Sequence, residues 1–89
     1  MSFTQKKAVV FVGGSQDHLP FISAAQHLGF YTVVFDQDST CKGGLVADYF
    51  YRISTHNLAG MISLTQKLSL EFSICGVMTY SSANQAIVN

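Results

Sequence analysis

The feature that most constrains the fold of this chain is an uninterrupted apolar run, AVVFV, at residues 8–12, followed directly by Gly13 and Gly14. β-Branched and aromatic residues without polar alternation are typical of a strand buried on both faces, as in a parallel sheet. Neighbouring parallel strands need long crossover connections, which are usually helices. The run therefore predicts an α/β domain built on a buried parallel sheet.

Helix and strand patterns alternate along the chain. Residues 19–28 carry apolar residues at helical spacing, with Asp17 as the expected N-cap, Pro20 in the first turn and Gly29 as the stop. Further strands are predicted at three places, residues 31–35, residues 48–53 at an edge of the sheet, and residues 74–79. Residues 37–47 have the composition of turns.

A second helix follows the third strand, and a third helix follows the fourth. Ser54, Thr55 or Asn57 is the expected cap of the second helix, whose predicted apolar face is Leu58, Met61, Ile62 and Leu68. Ser81 or Ser82 is the expected cap of the third, from Ala83. Right-handed crossovers then predict a small Rossmann-like three-layer domain, with a parallel sheet of about four strands in the order 3-2-1-4.

Length and charge limit what the domain does. The 89 residues form one domain, 1–89, and five basic residues balance five acidic ones, which argues against a nucleic-acid partner and a polybasic membrane surface. The apolar runs are too short to span a membrane, and with no signal peptide before the first strand a cytoplasmic location is expected. Charged residues make up only 11%, against about 25% typically, so we expect another domain or subunit to cover part of the surface.

The two cysteines show no metal or redox spacing. Cys75 lies in an apolar run and is expected in the core, whereas Cys41 lies in a loop and is expected nearer to solvent.

The candidate ligand site is the edge where strand order reverses, between the first and fourth strands. Two loops flank it, Gly13-Gly14-Ser15-Gln16 and Tyr80-Ser81-Ser82, and Asp36 ends the neighbouring strand. The glycines either let backbone N–H groups approach an anion or only permit a tight turn. Their spacing alone favours neither alternative. Asp36 either contacts a ligand or, as is slightly favoured, caps its own loop.

Established nucleotide motifs do not fit. Asp36 lies 22 positions after Gly14, as a dinucleotide site requires, but the glycines lack the G-x-G-x-x-G spacing, so NAD is disfavoured. The G-x-x-x-x-G-K-[S/T] motif is absent, and the three histidines show no ligand spacing. His18, beside the glycine loop, is the one histidine to test, and no catalytic residue is assigned.

Several segments, in sequence order, together resemble a known family. They are VFVGGSQ at 10–16, Leu19-Pro20, Ala25, LGFY at 28–31, Val34, Asp36, Ala47-Asp48, IST at 53–55 and GVMTYS at 76–81. This set resembles the N-terminal pre-ATP-grasp domain of ATP-grasp ligases, most closely the carbamoyl-phosphate-synthase-like proteins, and covers nearly the whole chain. The chain departs from the family after Ser81. An acidic residue commonly follows this serine in the family, whereas this chain has Ser82.

The resemblance implies a division of labour. An ATP-grasp region, missing here, would hold ATP and Mg²⁺ and form an acyl phosphate. This domain would be a fragment of a longer ligase. It would shape the substrate side of the cleft through residues 13–16 and the loop after the fourth strand. The chain alone would hold no cofactor and be inactive, with the ATP-grasp domain, a second subunit or a homodimer as partner. The alternatives are a free-standing small-anion or nucleotide-binding module and an oligomerising structural domain.

Overall fold

A computed structural model describes residues 6–79 of the chain. This part contains four strands and three helices: β1 (Lys6–Val12), α1 (Leu19–His27), β2 (Tyr31–Asp36), α2 (Lys42–Val46), β3 (Tyr49–Arg52), α3 (Leu58–Leu68) and β4 (Phe72–Thr79). All neighbouring strands pair in parallel, in the order β3-β2-β1-β4. The predicted α/β class and strand order are confirmed.

The central strand β1 separates two apolar cores. Ala8 and Val10 pack on the face that α3 covers, whereas Phe11 packs on the opposite face against Ile22 of α1. Successive strand residues point to opposite faces, so a continuous apolar run is what a strand covered on both sides requires. The result is three layers, with α1 and α2 on one side of the sheet and α3 on the other.

The ends of the helices follow local capping chemistry in part. The Asn57 side chain accepts a hydrogen bond from the Gly60 N–H at the start of α3, and Gly29 ends the α1 turn with a φ of +91°. The expected N-cap of α1, Asp17, is wrong. A 3-10 turn at Gln16–His18 leads into the helix, so His18 occupies the N-cap position without a side-chain cap bond.

Helix α2 falls within the segment predicted to be turns. Its five residues, KGGLV, include two glycines, which are poor helix formers, so local propensity does not predict a helix there. Contacts with the rest of the fold support it instead, because the Gly43 N–H donates to the Gly14 carbonyl over 2.7 Å. Tertiary packing overrides a weak local preference at this point.

Strand β4 contains an irregularity that changes which side chains face each layer. Its pairing with β1 runs from Ala8 opposite Ile74 directly to Val9 opposite Gly76, which leaves Cys75 as the extra residue of a bulge. Ile74 packs on the α3 core, whereas Met78, four residues later, packs on the α1 core. Without the bulge both side chains would lie on one face.

The predicted apolar face of α3 is only half buried. Met61 and Leu68 lie in the core, but Leu58 and Ile62 are exposed together with Val77 of β4. These exposed side chains border a groove of about 310 Å³ between α3 and β4, whose floor includes Val10 and Phe35. The helix covers β1 and β2 and leaves the β4 side of this layer open among the described residues.

Both cysteine expectations are reversed. Cys41 is buried beneath the glycine loop, and Cys75 is exposed at the bulge of β4. A sequence window does not show that the loop at residue 41 folds inward, nor that a bulge in the fourth strand leaves Cys75 exposed.

Candidate functional site

The glycine loop continues the sheet before it turns. Gly13 adopts a φ of +101°, which residues with a side chain rarely adopt, and its N–H donates to the Phe35 carbonyl over 2.7 Å. This bond extends the β1–β2 pairing by one residue past Val12. Gly13 therefore serves the turn, as one of the two sequence alternatives expects.

Asp36 holds two loops together with one carboxylate. Its Oδ2 accepts a hydrogen bond from the Gly14 N–H at 2.9 Å, and its Oδ1 accepts one from the Asp38 N–H at 2.9 Å. The second bond is the capping role that the sequence slightly favours, and the first is an additional contact across the sheet edge. The N–H groups of Gly13 and Gly14 are thus both engaged within the protein, and a carboxylate stands where an anion cradle would hold its ligand.

Gly14 and Gly43 bring the loop and α2 into direct contact. A Cβ on Gly14 would lie 2.7 Å from Val34 Cγ1 and 2.8 Å from Cys41 Sγ. A Cβ on Gly43 would lie 2.7 Å from the Gly14 carbonyl oxygen. Side chains at these positions would push the two segments apart, so both glycines are required by close packing.

Three exposed polar side chains line the outer side of this loop. Lys42 Nζ donates to Gln16 Oε1 at 3.4 Å, which places the one cation of α2 beside residues 15–16. Ser15 is exposed, and its Oγ lies 3.2 Å from His18 Nδ1. These groups combine a positive charge, an amide and a hydroxyl, which suits a small carboxylate or bicarbonate better than an apolar ligand.

The neighbouring loop, residues 37–41, is organised by a second aspartate. Asp38 Oδ1 accepts hydrogen bonds from the Thr40 hydroxyl at 2.6 Å and from the Thr40 N–H at 2.9 Å, and these two bonds hold the Asp38 pKa below its usual value. Arg52, at the end of β3, donates from Nε to the Gln37 carbonyl at 3.0 Å. The bonds from Arg52 to Gln37 and from Asp38 to Asp36 therefore hold the start of this loop against the sheet edge, and the Asp38–Thr40 bonds order its middle.

His18 is buried behind the glycine loop. Its ring meets the Phe11 ring edge-on, with centroids 6.4 Å apart, and it touches the position that a Cβ on Gly13 would occupy. Burial lowers the His18 pKa, and the carboxylates of Asp17 and Asp36 partly oppose this shift. At neutral pH the ring is therefore a neutral wall of the loop rather than a cationic ligand group.

We expect the free energy of unfolding to decrease as the pH falls below about 6.5, because burial in the folded state disfavours protonated His18. The unfolded chain binds a proton at His18 with a pKa of about 6.5, whereas the folded chain binds it only at lower pH. The His18 contribution is therefore complete above about pH 6.5 and is lost as pH falls through the lower, folded-state pKa. Urea denaturation at pH 7.5 and pH 5.5 measures the difference.

Two histidine variants isolate this effect. In His18→Gln the loss of stability between the two pH values should shrink, whatever the stability of the variant at pH 7.5. In His27→Gln, which changes an exposed residue of α1, the wild-type loss should remain. An unchanged pH dependence in His18→Gln contradicts the assignment to His18.

The surroundings of Cys41 disfavour the reactive thiolate form of this buried side chain. Burial raises the pKa of its thiol, and this outweighs a hydrogen bond from the Gly44 backbone N–H, so the thiolate is disfavoured at neutral pH.

Within residues 6–79, no group of three or more His, Cys, Asp or Glu side chains is placed to hold a metal ion. Within the same residues, no helix has the length and apolarity needed to cross a bilayer.

The structure brings together the part of the predicted site that it describes. Gly13, Gly14, Ser15, Gln16 and Asp36 converge at the carboxyl edge of β1 and β2. The other predicted ligand residues, Tyr80, Ser81 and Ser82, and the helix predicted from Ala83 lie outside the described residues.

Lys42 and Cys41 join the site without having been predicted, whereas the loop around Asp38 was a segment that the sequence allowed to fold over this edge. The pair Gly43-Gly44 was a signal for close backbone approach there, because paired glycines permit contacts that side chains block.

Comparison with known proteins identified no relative of this chain. No protein-family model, no curated protein and no solved structure matches the chain.

Proposed function

We propose that this chain is the substrate-side domain of an ATP-grasp, carbamoyl-phosphate-synthase-like carboxylate ligase, and that it holds a small carboxylate or bicarbonate without catalysing a reaction alone. The observation that carries the proposal is the loop 13–16, hydrogen-bonded to Phe35 and Asp36, at the point where strand order reverses. In open parallel sheets, ligands bind beyond the carboxyl ends of the strands at that point. The resemblance of the sequence to pre-ATP-grasp domains supports the same placement.

The chemistry around the loop favours a substrate group over a nucleotide. Asp36 and Asp38 put two carboxylates at this edge, and the loop N–H groups of Gly13 and Gly14 are engaged. A triphosphate would meet these carboxylates with several negative charges and would find one lysine, Lys42, close to the loop. A singly charged carboxylate needs only the cation and one or two neutral donors.

ATP and Mg²⁺ are assigned to a separate ATP-grasp region. The sequence lacks the lysine-containing phosphate loop that cradles a nucleotide triphosphate. In the proposed division of labour that region supplies the nucleotide and forms the acyl phosphate. This chain's own part is to orient the acid at Ser15, Gln16 and Lys42.

An amide NMR titration of the chain tests the proposal. Bicarbonate and acetate should shift the amide signals of Ser15, Gln16 and Lys42 in a saturable way, with affinity in the millimolar range, about −4 kcal/mol. ATP–Mg²⁺ should cause no saturable shift at these residues, and no ATP should be hydrolysed. The variant Lys42→Gln should lose the carboxylate response.

The matched control is Lys67→Gln, which removes a lysine from α3 on the opposite face of the sheet and should leave the response intact. Saturable shifts at residues 13–16 with ATP–Mg²⁺ would favour the alternative of a free-standing nucleotide-binding module. Inorganic phosphate binding tighter than both carboxylates would favour a small-anion module. No response to bicarbonate or acetate would remove the ligand role from this loop.

A further inference from the structure

We infer that β4 is a self-association edge, at which a second copy of this chain pairs antiparallel to the first around a two-fold axis. The inference does not rest on the proposed ligand role. Strand β4 flanks β1 on one side, whereas α2 and the residue 37–41 loop lie on the other, beside β2 and β3. The starting point of the inference is that β4 is an outer strand of the described sheet, with β1 on one side and no described strand on the other.

The two edges of this sheet differ in their protection against pairing. β3 is four residues long and ends in Arg52, and a short edge strand with a charged residue resists pairing with another chain. β4 has eight residues, FSICGVMT, with no charged residue and no proline. A long, uncharged and apolar edge lacks the usual protections, apart from the bulge at Cys75. The regular part after the bulge, Gly76 to Thr79, is the segment available for pairing.

An apolar strip continues from this edge onto the neighbouring layer. Val77 is 60% exposed, and it borders the groove that Leu58 and Ile62 of α3 also line. A partner strand beside β4 would place its own side chains next to Val77, at the open border of this groove, and remove part of the Val77 side chain from water. Burial of apolar surface stabilises association by about 25 cal/mol per Å² before the entropic cost of association.

The occupant that fits these features is a second copy of the chain. Around a two-fold axis the same strand supplies both partners, so each backbone donor of one β4 finds the matching acceptor of the other. β4 carries no charge, and the chain has a formal net charge of zero, so two copies approach without electrostatic repulsion. The low proportion of charged residues, 11%, agrees with a surface that is partly covered.

Analytical ultracentrifugation between about 5 and 500 µM tests this inference, a range that spans dissociation constants of weak homodimers. The wild-type chain should form dimers as concentration rises. Val77→Lys should raise the dissociation constant at least about tenfold, because the two-fold axis places the new charges near each other. Val46→Lys is the matched control, since Val46 is 50% exposed on α2, on the other side of the sheet, and this variant should dimerise like wild type. Circular dichroism confirms that both variants are folded.

Hydrogen exchange of the β4 amides supplies a second measurement. Exchange at residues 76–79 should slow as the wild-type concentration rises, and should not slow in Val77→Lys. A chain that stays monomeric over the whole range overturns the inference. Slow exchange at every concentration in a monomer also overturns it, because the edge is then covered by the chain's own residues 80–89. A dimer lost in Val46→Lys but kept in Val77→Lys assigns the interface to the α1–α2 face and likewise overturns it.

Discussion

Phe11→Ala should remove about 3–5 kcal/mol from the free energy of unfolding, the largest single effect we expect in this domain. Phe11 is 1% exposed and lies in the core between the sheet and α1, where it contacts the edge of the buried His18 ring. Truncation loses the transfer free energy of the ring and leaves a cavity that close-packed neighbours fill only in part. Domains of this size are stable by about 5–15 kcal/mol, so the variant should lie near the limit of folding.

Urea denaturation followed by circular dichroism measures this loss. With a slope of about 1–3 kcal/mol per M, the midpoint should move down by at least about 1 M. Phe21→Ala is the matched control, since Phe21 lies on α1, on the same side of the sheet, and is 43% exposed. That variant should lose about 1 kcal/mol or less. Equal losses in the two variants would contradict the assignment of Phe11 to the core.

Gly43→Ala should destabilise the domain by about 1–2 kcal/mol, the second largest effect that we expect, although alanine favours helices more than glycine does. The new Cβ would lie 2.7 Å from the Gly14 carbonyl oxygen and 2.8 Å from Gly14 Cα. Both are backbone atoms, so neither moves away by a side-chain rotation, and the loop must separate from α2. Because the contacts are with backbone atoms, the overpacking cost lies in the upper part of the range of about 1–3 kcal/mol, and the gain in helix propensity of about 1 kcal/mol offsets only part of it.

The change should also appear in the amide signal of Gly14, whose N–H donates to Asp36. Gly76→Ala is the matched control, because a Cβ there would meet no atom within 4 Å. We expect its stability to equal that of the wild-type chain or to exceed it by up to about 1 kcal/mol. If Gly43→Ala unfolds at the wild-type midpoint and leaves the Gly14 signal in place, the loop and α2 do not touch as described.

The glycine loop shows where prediction from sequence succeeds and where it ends. Its position after β1 follows from the apolar run and the two glycines, and Asp36 was assigned to the end of β2 correctly. The sequence left open whether the loop N–H groups bind an anion or serve a turn. The structure shows these donors bonded to Phe35 and Asp36, a contact between residues 22 positions apart that no local pattern reveals.

The α3–β4 layer shows the same limit in the prediction of the core. Helical spacing identified one apolar face on α3, yet only Met61 and Leu68 of it are buried. Periodicity shows that a stripe is apolar but not how far the sheet beneath it extends. The bulge at Cys75 likewise depends on how β4 aligns with β1, and this alignment exposes a cysteine that lies within an apolar run.

By itself, the sequence determined the elements with strong local signals and, through them, the architecture. The buried run of β1 and the glycine stop of α1 depend on residues within a few positions of one another, whereas the choice of Asn57 among three candidate caps of α3 came from the structure. The handedness of crossovers then leaves few arrangements for the sheet. Only the tertiary structure decided that α2 forms against Gly14, that Cys41 is buried and that Val77 is exposed. The physical reason is that these outcomes depend on packing between segments distant in sequence, where small differences in contact outweigh local preference.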